Sequence, residues 1–383
     1  MEHVRKSPLH EKHQEMGAKL VEYHGWYLPV EYSGIMKEVH ETRQGAALFD
    51  ASHMGEIMIS GHTSKRFLQQ VLTNDLSRQG PGQVLYSPLC QEDGGTLDDL
   101  LVYCFSRERY MLVVNAANIQ QDLEWLQQLK IEGTEISDVS DRYALLALQG
   151  PRSSLILQTL MDVSEKELKY FRFMPEVTVA GIKVMLSRTG YTGEDGFEIY
   201  VSPQEALALW DALWEAASQK GTSPEEKKEA LSEEIPSLTA AGLGARDLLR
   251  LEAALPLYGH ELSKEITPLE AGLGNFVALQ KEIPFWGQTA LQKQQEKGLV
   301  RRLAGLEMRQ RGIPRQGYPV MEGAEEIGWV SSGTYSPTLQ KAVGLAFLSP
   351  ERIAPGTEVE VMIRGKRYPS RVAITPFYRR DKK

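Results

Sequence analysis

Hydrophobic and polar positions along this chain alternate between two spacings. Glu56 to Ser60 sets Ile57 and Ile59 two apart between polar ends and predicts a strand. After it, Ser64 precedes Phe67, Leu68, Val71 and Leu72, the three-to-four-residue spacing of a helix face. The run Leu100 to Phe105 predicts a buried strand, Ser106 to Arg109 a polar turn, and Tyr110 to Val114 the returning strand of an antiparallel hairpin. Ile119, Leu123, Leu126 and Leu129 mark the next helix. Strand, helix and hairpin together predict a mixed α+β unit.

The pattern repeats further on. Tyr143 to Leu148 predicts a strand stopped by Gly150-Pro151. Val177 to Val179 and Ile182 to Leu186 flank Ala180-Gly181 as a second hairpin, and Phe197, Ile199 and Val201 alternate in the strand after it. Ser202-Pro203-Gln204-Glu205 has the residues of a helix start, with Ser as cap, Pro at the first position and Glu returning to the cap. Leu207, Trp210, Leu213 and Trp214 are expected on the buried face of that helix. Gly221 to Pro236 is charge-rich and reads as a solvated loop or short exposed helix. From about Leu303 the elements shorten, with Gly and Pro between them: Gly328 to Ser331, Val343 to Phe347, then Val359, Val361 and Ile363. This predicts an all-β C-terminal domain, a small barrel or jelly roll.

Composition narrows the class. A chain of 383 residues is too long for one core, so two or three domains are expected. The formal net charge of -8 argues against broad nucleic-acid or membrane-surface binding. No run of about 18 apolar residues is present, so no transmembrane helix is expected. The opening has neither the apolar segment of a signal peptide nor the Arg- and Ser-rich character of a transit peptide. Two cysteines, Cys90 and Cys104, have no metal-type spacing and fit a reducing compartment. The expected location is a bacterial-type cytoplasm; a mature organellar protein would read the same.

Four segments carry chemistry. In Gly94-Gly95-Thr96-Leu97-Asp98-Asp99-Leu100 two adjacent carboxylates enter an apolar strand, where neighbours point to opposite faces. A carboxylate on an apolar wall needs a donor or cation; a Gly-Gly turn ending in Asp residues explains the same letters. In Ser187 to Glu198, three glycines let the backbone approach something closely, with Tyr191 and Glu198 at the ends of the loop. A carboxylate there can accept two parallel N–H bonds from an aminopyrimidinone edge, and a Gly-rich hairpin loop is the plain alternative. Ala241 to Glu252 is a Gly-rich turn entering a helix. Arg246 lies near its start, where the helix dipole gives a cation nothing, so a ligand or Asp247 is its expected partner. His24 and His53 can be acids or ligands, though a lone histidine more often has a structural hydrogen bond. No HExxH, CxxC or compact His/carboxylate cluster is present, so no metal site is expected. Phosphate-loop and Gly-x-Ser-x-Gly motifs are absent too.

Taken in order, ten segments resemble the glycine cleavage T protein family. They are HGW (His24 to Trp26), FDASHMGE (Phe49 to Glu56), GGTLDDLLVY (Gly94 to Tyr103), VVNAAN (Val113 to Asn118) and SRTGYTGEDGFE (Ser187 to Glu198). GLGARDLLRLEA (Gly242 to Ala253), TPLEAGL (Thr267 to Leu273), GYPV (Gly317 to Val320), SSGTYSPTL (Ser331 to Leu339) and PFYR (Pro376 to Arg379) follow. One such motif is weak; ten in order are specific. The resemblance implies a three-domain clover-like α+β arrangement around a folate site, with mixed α/β folate-binding domains and a C-terminal all-β barrel. The expected division is residues 1–50 with 141–285, then 51–140, then 286–383. It implies an aminomethyltransferase that takes its one-carbon unit from the lipoyl arm of the H protein, passes it to tetrahydrofolate, and needs no metal.

Residue by residue, the family's catalytic carboxylate falls on Asp99. Glu198, Tyr191 and Arg246 match positions that hold the pterin. Met54, Tyr86, Leu101, Tyr103, Asn115, Tyr170 and Phe171 match positions lining the folate cleft. One departure stands out: family members often carry Trp where this chain has Asn275, followed by Phe276. Related possibilities are a folate-dependent demethylase and a folate-binding protein of iron–sulfur maintenance. The oxidative demethylases usually add a flavin domain, and this chain opens without a dinucleotide fingerprint. The iron–sulfur group has a Lys-Gly-Cys-type motif, and Phe285-Trp286-Gly287-Gln288 lacks its Cys.

Overall fold

The computed structural model describes residues 4–161, 167–218 and 238–380. The polar stretch 221–236 lies outside the described residues. The chain folds into two units, Met1–Met54 with Val139–Leu249, and Gly55–Asp138 with Arg250–Lys383.

The first unit is built on a six-stranded sheet in the order Phe173–Val179, Ile182–Ser187, Gly196–Val201, Ala144–Gln149, Ala46–Asp50, Leu238–Ala240. All neighbours are antiparallel except the last pair. Both faces are apolar, for a reason visible in the alternation. Leu48, Leu146, Leu148, Phe197, Ile199 and Val201 pack with Ile156, Leu157, Leu209, Trp210 and Leu213 from the helices Ser153–Gln158 and Ala206–Ser218. Ala47, Phe49 and Ala147 pack on the opposite face with Val39, Ala245, Leu248 and Leu249. A three-stranded sheet of Arg5–Lys6, Trp26–Glu31 and Lys19–Tyr23 completes the unit.

Two details of this unit differ from the sequence expectation. The Ser202 hydroxyl bonds Gln204 Oε1, and Glu205 N–H bonds Ser202 O, so these residues close a turn and the helix begins at Ala206. Pro203, with its fixed φ, serves the turn rather than the first helical position. The later start also moves the buried stripe. Leu209 replaces Leu207, which is exposed, while Trp210 and Leu213 are buried as expected.

The second unit holds a five-stranded antiparallel sheet, ordered Gln83–Cys90, Thr96–Ser106, Arg109–Val114, Gly55–Ser60, Glu135–Asp138. The helices Ser64–Val71 and Ile119–Gln128 cover one face through Phe67, Leu68, Val71, Leu123 and Leu126. Six antiparallel strands between Arg302 and Ala373 close into the expected barrel, filled by Leu306, Val320, Val330, Leu348, Val361 and Val372. Cys90 and Cys104 are free and buried. Among the described residues no helix is long and apolar enough to cross a membrane, and no group of three His, Cys, Asp or Glu could hold a metal ion.

Candidate active site

Two clusters of chemistry-bearing side chains stand out, one in each unit. That of the second unit grows from the strand Thr96–Ser106. A tight turn precedes it, and a side chain at Gly95 would collide with Lys264 O at 1.9 Å, so glycine is required there. Beyond the turn, Asp98 falls on the helix-covered face with Leu100, Val102 and Cys104; Asp99 falls on the other with Leu101 and Tyr103. Asp98 is fully buried and Asp99 half-buried.

Asp99 Oδ2 accepts a hydrogen bond of 2.9 Å from the Tyr86 hydroxyl, and its Oδ1 one of 3.0 Å from Asn115 Nδ2. Asn115 Nδ2 also reaches Asp98 Oδ1 at 2.7 Å, and Asn115 N–H donates to Asp98 Oδ2 at 3.0 Å. Asn118 Nδ2 adds a third donor to Asp98 at 2.7 Å. Burial and the neighbouring Asp98 charge push the Asp99 carboxyl up to about 7, against the Tyr86 and Asn115 hydrogen bonds, which favour the ion. Phe276 meets the Tyr86 ring edge-on at 4.8 Å, which gives the residue beside Asn275 a wall-forming place. Of the predicted residues, Asp99, Tyr86 and Asn115 are therefore joined directly, and Leu101 and Tyr103 share the Asp99 face.

The first-unit cluster centres on Glu198. In the strand Gly196–Val201 its neighbours Phe197 and Ile199 enter the core, so Glu198 lies on the other face, level with Ala147 and Phe49. The carboxylate is buried and accepts a 2.5 Å hydrogen bond from Thr189 Oγ1. Burial raises its pKa; Thr189 and the charge of Arg246 oppose the rise. Arg246, on the helix Leu243–Glu252, lies 4.8 Å over the Tyr191 ring. Its partners are thus an aromatic face and the Glu198 field.

Two of the three loop glycines serve packing, and Gly193 takes a positive φ. A side chain at Gly190 or Gly196 would strike the buried Gln149, whose amide donates to Thr189 O and whose Oε1 accepts from Thr192. Gly242 and Gly244 leave room for Val30 and Ile35 in the same way. What approaches the loop closely is a side chain of the protein itself.

Met54 is half-buried at the end of the Asp50 turn, its N–H bonded to Ala51 O. Tyr170 and Phe171 contact each other at 4.9 Å, with Phe171 at a positive φ and tied to Arg188 O. The two histidines separate. His24 is exposed in a turn, whereas His53 is buried with Nδ1 unpartnered among the described residues. Burial and then Arg246 push His53 down to about 3, so its imidazole is neutral at neutral pH.

Sequence reading missed Thr189 and Asp122. Thr189 gave no signal beyond its place in the loop. Asp122 gave one, an acid at a core position between Ile119 and Leu126 on a helix face. Lys281, pushed down to about 7 by burial, has its amine against Leu72 O and Asn74 O and over the Phe285 ring, which is a structural role.

Comparison with known proteins places the whole chain in one family. The model of the glycine cleavage T protein N-terminal domain matches residues 9–281, and that of the T protein C-terminal barrel domain matches residues 301–379. The aminomethyltransferase of Natranaerobius thermophilus is 48% identical over 99% of this chain and 100% of its own length. That of a Geobacillus strain is also 48% identical, with the same coverage. The crystal structure of aminomethyltransferase T of the glycine cleavage system from Bartonella henselae superposes with a TM-score of 0.86 at 32% identity, covering 98% of each chain. The chain therefore belongs to the glycine cleavage T protein family and is an aminomethyltransferase of the glycine cleavage system.

Proposed function

We propose that this aminomethyltransferase uses tetrahydrofolate as co-substrate and the lipoylated H protein as carrier of the aminomethyl group, with Asp99 as the catalytic carboxylate. In the reaction the carbon exchanges its bonds to the carrier sulfur and the amino nitrogen for bonds to two folate nitrogens. The two folate N–H protons pass to sulfur and to the departing ammonia. The products are 5,10-methylenetetrahydrofolate, ammonia and dihydrolipoyl H protein. Two proton movements at neutral pH call for a group that titrates there.

One observation carries the assignment: Asp99 is a half-open carboxyl, oriented by Tyr86 and Asn115, and poised at about 7 beside Asp98. It can orient the attacking amine, take its proton and stabilise the positive charge that develops on it. The donor set of the first unit suits the aminopyrimidinone edge of a pterin. Glu198 supplies the carboxylate, Thr189 fixes it, and Tyr191 beneath Arg246 offers a flat face. We assign Glu198, Arg246, Tyr191, Tyr86, Met54, Leu101, Tyr103, Asn115, Tyr170 and Phe171 to folate binding. We also keep the three-part division at residues 1–50 with 141–285, 51–140 and 286–383, and a cytoplasmic location.

The test is formation of 5,10-methylenetetrahydrofolate and ammonia from aminomethylated H protein and tetrahydrofolate. Folate-dependent release of both products is the expected result. Folate binding without transfer from that carrier would sink the reading of the partner.

A further inference from the structure

We propose that Asp122 carries a proton in the folded protein and donates it to the Asp98 carboxylate, so that this buried pair holds one negative charge behind Asp99 and Asp122 acts as a positioning residue for it. The turnover part of this inference rests on the reading of Asp99 as catalytic; the protonation part does not.

The geometry is that of two carboxyl groups in contact with donors on one side only. Asp98 accepts from Asn115 N–H, Asn115 Nδ2 and Asn118 Nδ2. Asp122, on the helix Ile119–Gln128, is fully buried, and neither of its oxygens meets a donor among the described residues. Its hydrogen-bonding neighbour is Asp98 itself. Two carboxylate oxygens repel; a hydrogen bond between them requires a proton.

The proton belongs on Asp122. Burial raises both carboxyls, but at Asp98 the hydrogen bonds from Asp122, Asn115 and Asn118 oppose the rise, whereas among the described residues no donor opposes it at Asp122. The helix dipole favours an anion in the first turn only weakly, and the cost of burying a carboxylate without donors outweighs it. Burial first, then the charge of Asp98, and further off that of Asp99, hold the Asp122 carboxyl well above its usual range. Tyr258 also faces the pair: burial first, and then the charges of Asp98, Asp122 and Glu265, raise its phenol against a hydrogen bond with Gln121.

The consequence reaches Asp99 through Asn115. Asn115 Nδ2 touches both Asp98 and Asp99, and the Asp98 charge is the second cause of the raised Asp99 carboxyl. A doubly charged pair would push Asp99 further up and leave it protonated at neutral pH. A singly charged pair leaves it able to exchange a proton there.

The direct test is carboxyl NMR of the full chain labelled at aspartate Cγ, with infrared spectra of the same protein. One aspartate should remain a carboxylic acid across the neutral range, and its signal should vanish in Asp122→Asn while Asp98 stays ionised. Absence of such a signal in the wild type, or its survival in Asp122→Asn, overturns the proposal. The kinetic test compares Asp122→Ala with Asp122→Asn. Loss of the donor in Asp122→Ala should lower turnover about tenfold and raise the pH midpoint assigned to Asp99, with KM little changed. The Asn amide can donate to Asp98, so Asp122→Asn should bring the midpoint back to within ~0.3 unit of wild type. A midpoint that falls by about one unit in Asp122→Asn would mean that a charge had been removed, and would overturn the proposal. If the wild type makes no methylenetetrahydrofolate, the reading of Asp99 fails, and the spectra still decide the protonation of Asp122.

Discussion

Asp50 in the first unit and Asp99 in the second are both aspartates at the apolar wall of a sheet, and they have opposite fates. Asp50 accepts from the Ser7 hydroxyl and from Ser52 N–H, and meets His13 Nε2 at 2.8 Å. Burial alone would raise its pKa; those three partners outweigh it and hold the carboxyl below its usual range. Asp99 has two neutral donors and an anionic neighbour, and burial takes it up to about 7. The residue type is the same, and the sign of the shift is set by how many donors converge and by the charge next door. Asp50 is a structural ion, while Asp99 is left free to trade a proton.

That contrast can be broken from either side. The largest effect is expected for Asp99→Asn, which keeps shape and removes the titrating group. Turnover should fall by about 10²–10⁴ while thermal unfolding stays close to wild type. Single-turnover product formation, read beside a melting curve, checks this; turnover near wild type would remove Asp99 from the mechanism. Asp98→Asn is a poor control for it, because Asp98 holds three donors in the core.

Asp50→Asn should do the reverse. It leaves buried donors poorly matched and should cost about 2–4 kcal/mol of stability, with turnover per folded molecule much less affected. Urea denaturation measures it. If stability were unchanged, the partners of Asp50 would not be what holds its charge.

A smaller effect comes from His53. Its folded pKa, about 3, lies below the unfolded value, so the folded form binds fewer protons and stability falls as pH drops below about 6.5. Asp50, with its depressed pKa, keeps its contribution down to the unfolded value of 3.8 and loses it only below that, as pH falls through the folded pKa. Asp99 has the opposite sign: raised in the fold, its ionisation costs stability as pH climbs towards 7. Replacing His53 by Gln should therefore flatten the loss on the acid side, by about 1–2 kcal/mol near pH 5. A pH series of denaturation midpoints would show it, and an unchanged slope would mean that His53 is charged in the fold.

The finest adjustment is Tyr86→Phe. It removes the donor to Asp99 Oδ2 and should move the turnover midpoint up by about half to one unit. A downward shift would contradict the hydrogen bond as a stabiliser of the ion.

Much of this was legible in the residues. Period-two stretches such as Glu56 to Ser60 became strands, and the Ile119 face became a helix, because each pattern buries one side and no other local conformation does so. The adjacency of Asp98 and Asp99 fixed that they would face apart once a strand formed. Their environment was not legible. Asn115 and Asn118 reach Asp98 from 17 and 20 residues away, and the Tyr86 hydroxyl comes from the neighbouring strand. Ser202 looked like a cap because the local letters allow it. The chain used them for a turn, since the register of the preceding strand decides where the next helix can begin.

The sequence by itself determined the order of elements, an all-β C-terminal domain, the family and the identity of the carboxylates, since these depend on periodicity and on residue types held in fixed order. Only the tertiary structure decided what those carboxylates are. Charge state depends on burial and on donors brought in from distant strands, and at short range in a low-dielectric interior these terms outweigh the intrinsic pKa that the residue name supplies. The same letter, Asp, is an ion at position 50, a group poised near neutrality at 99, and at 122 a carboxyl held well above its usual range, with no donor to it among the described residues.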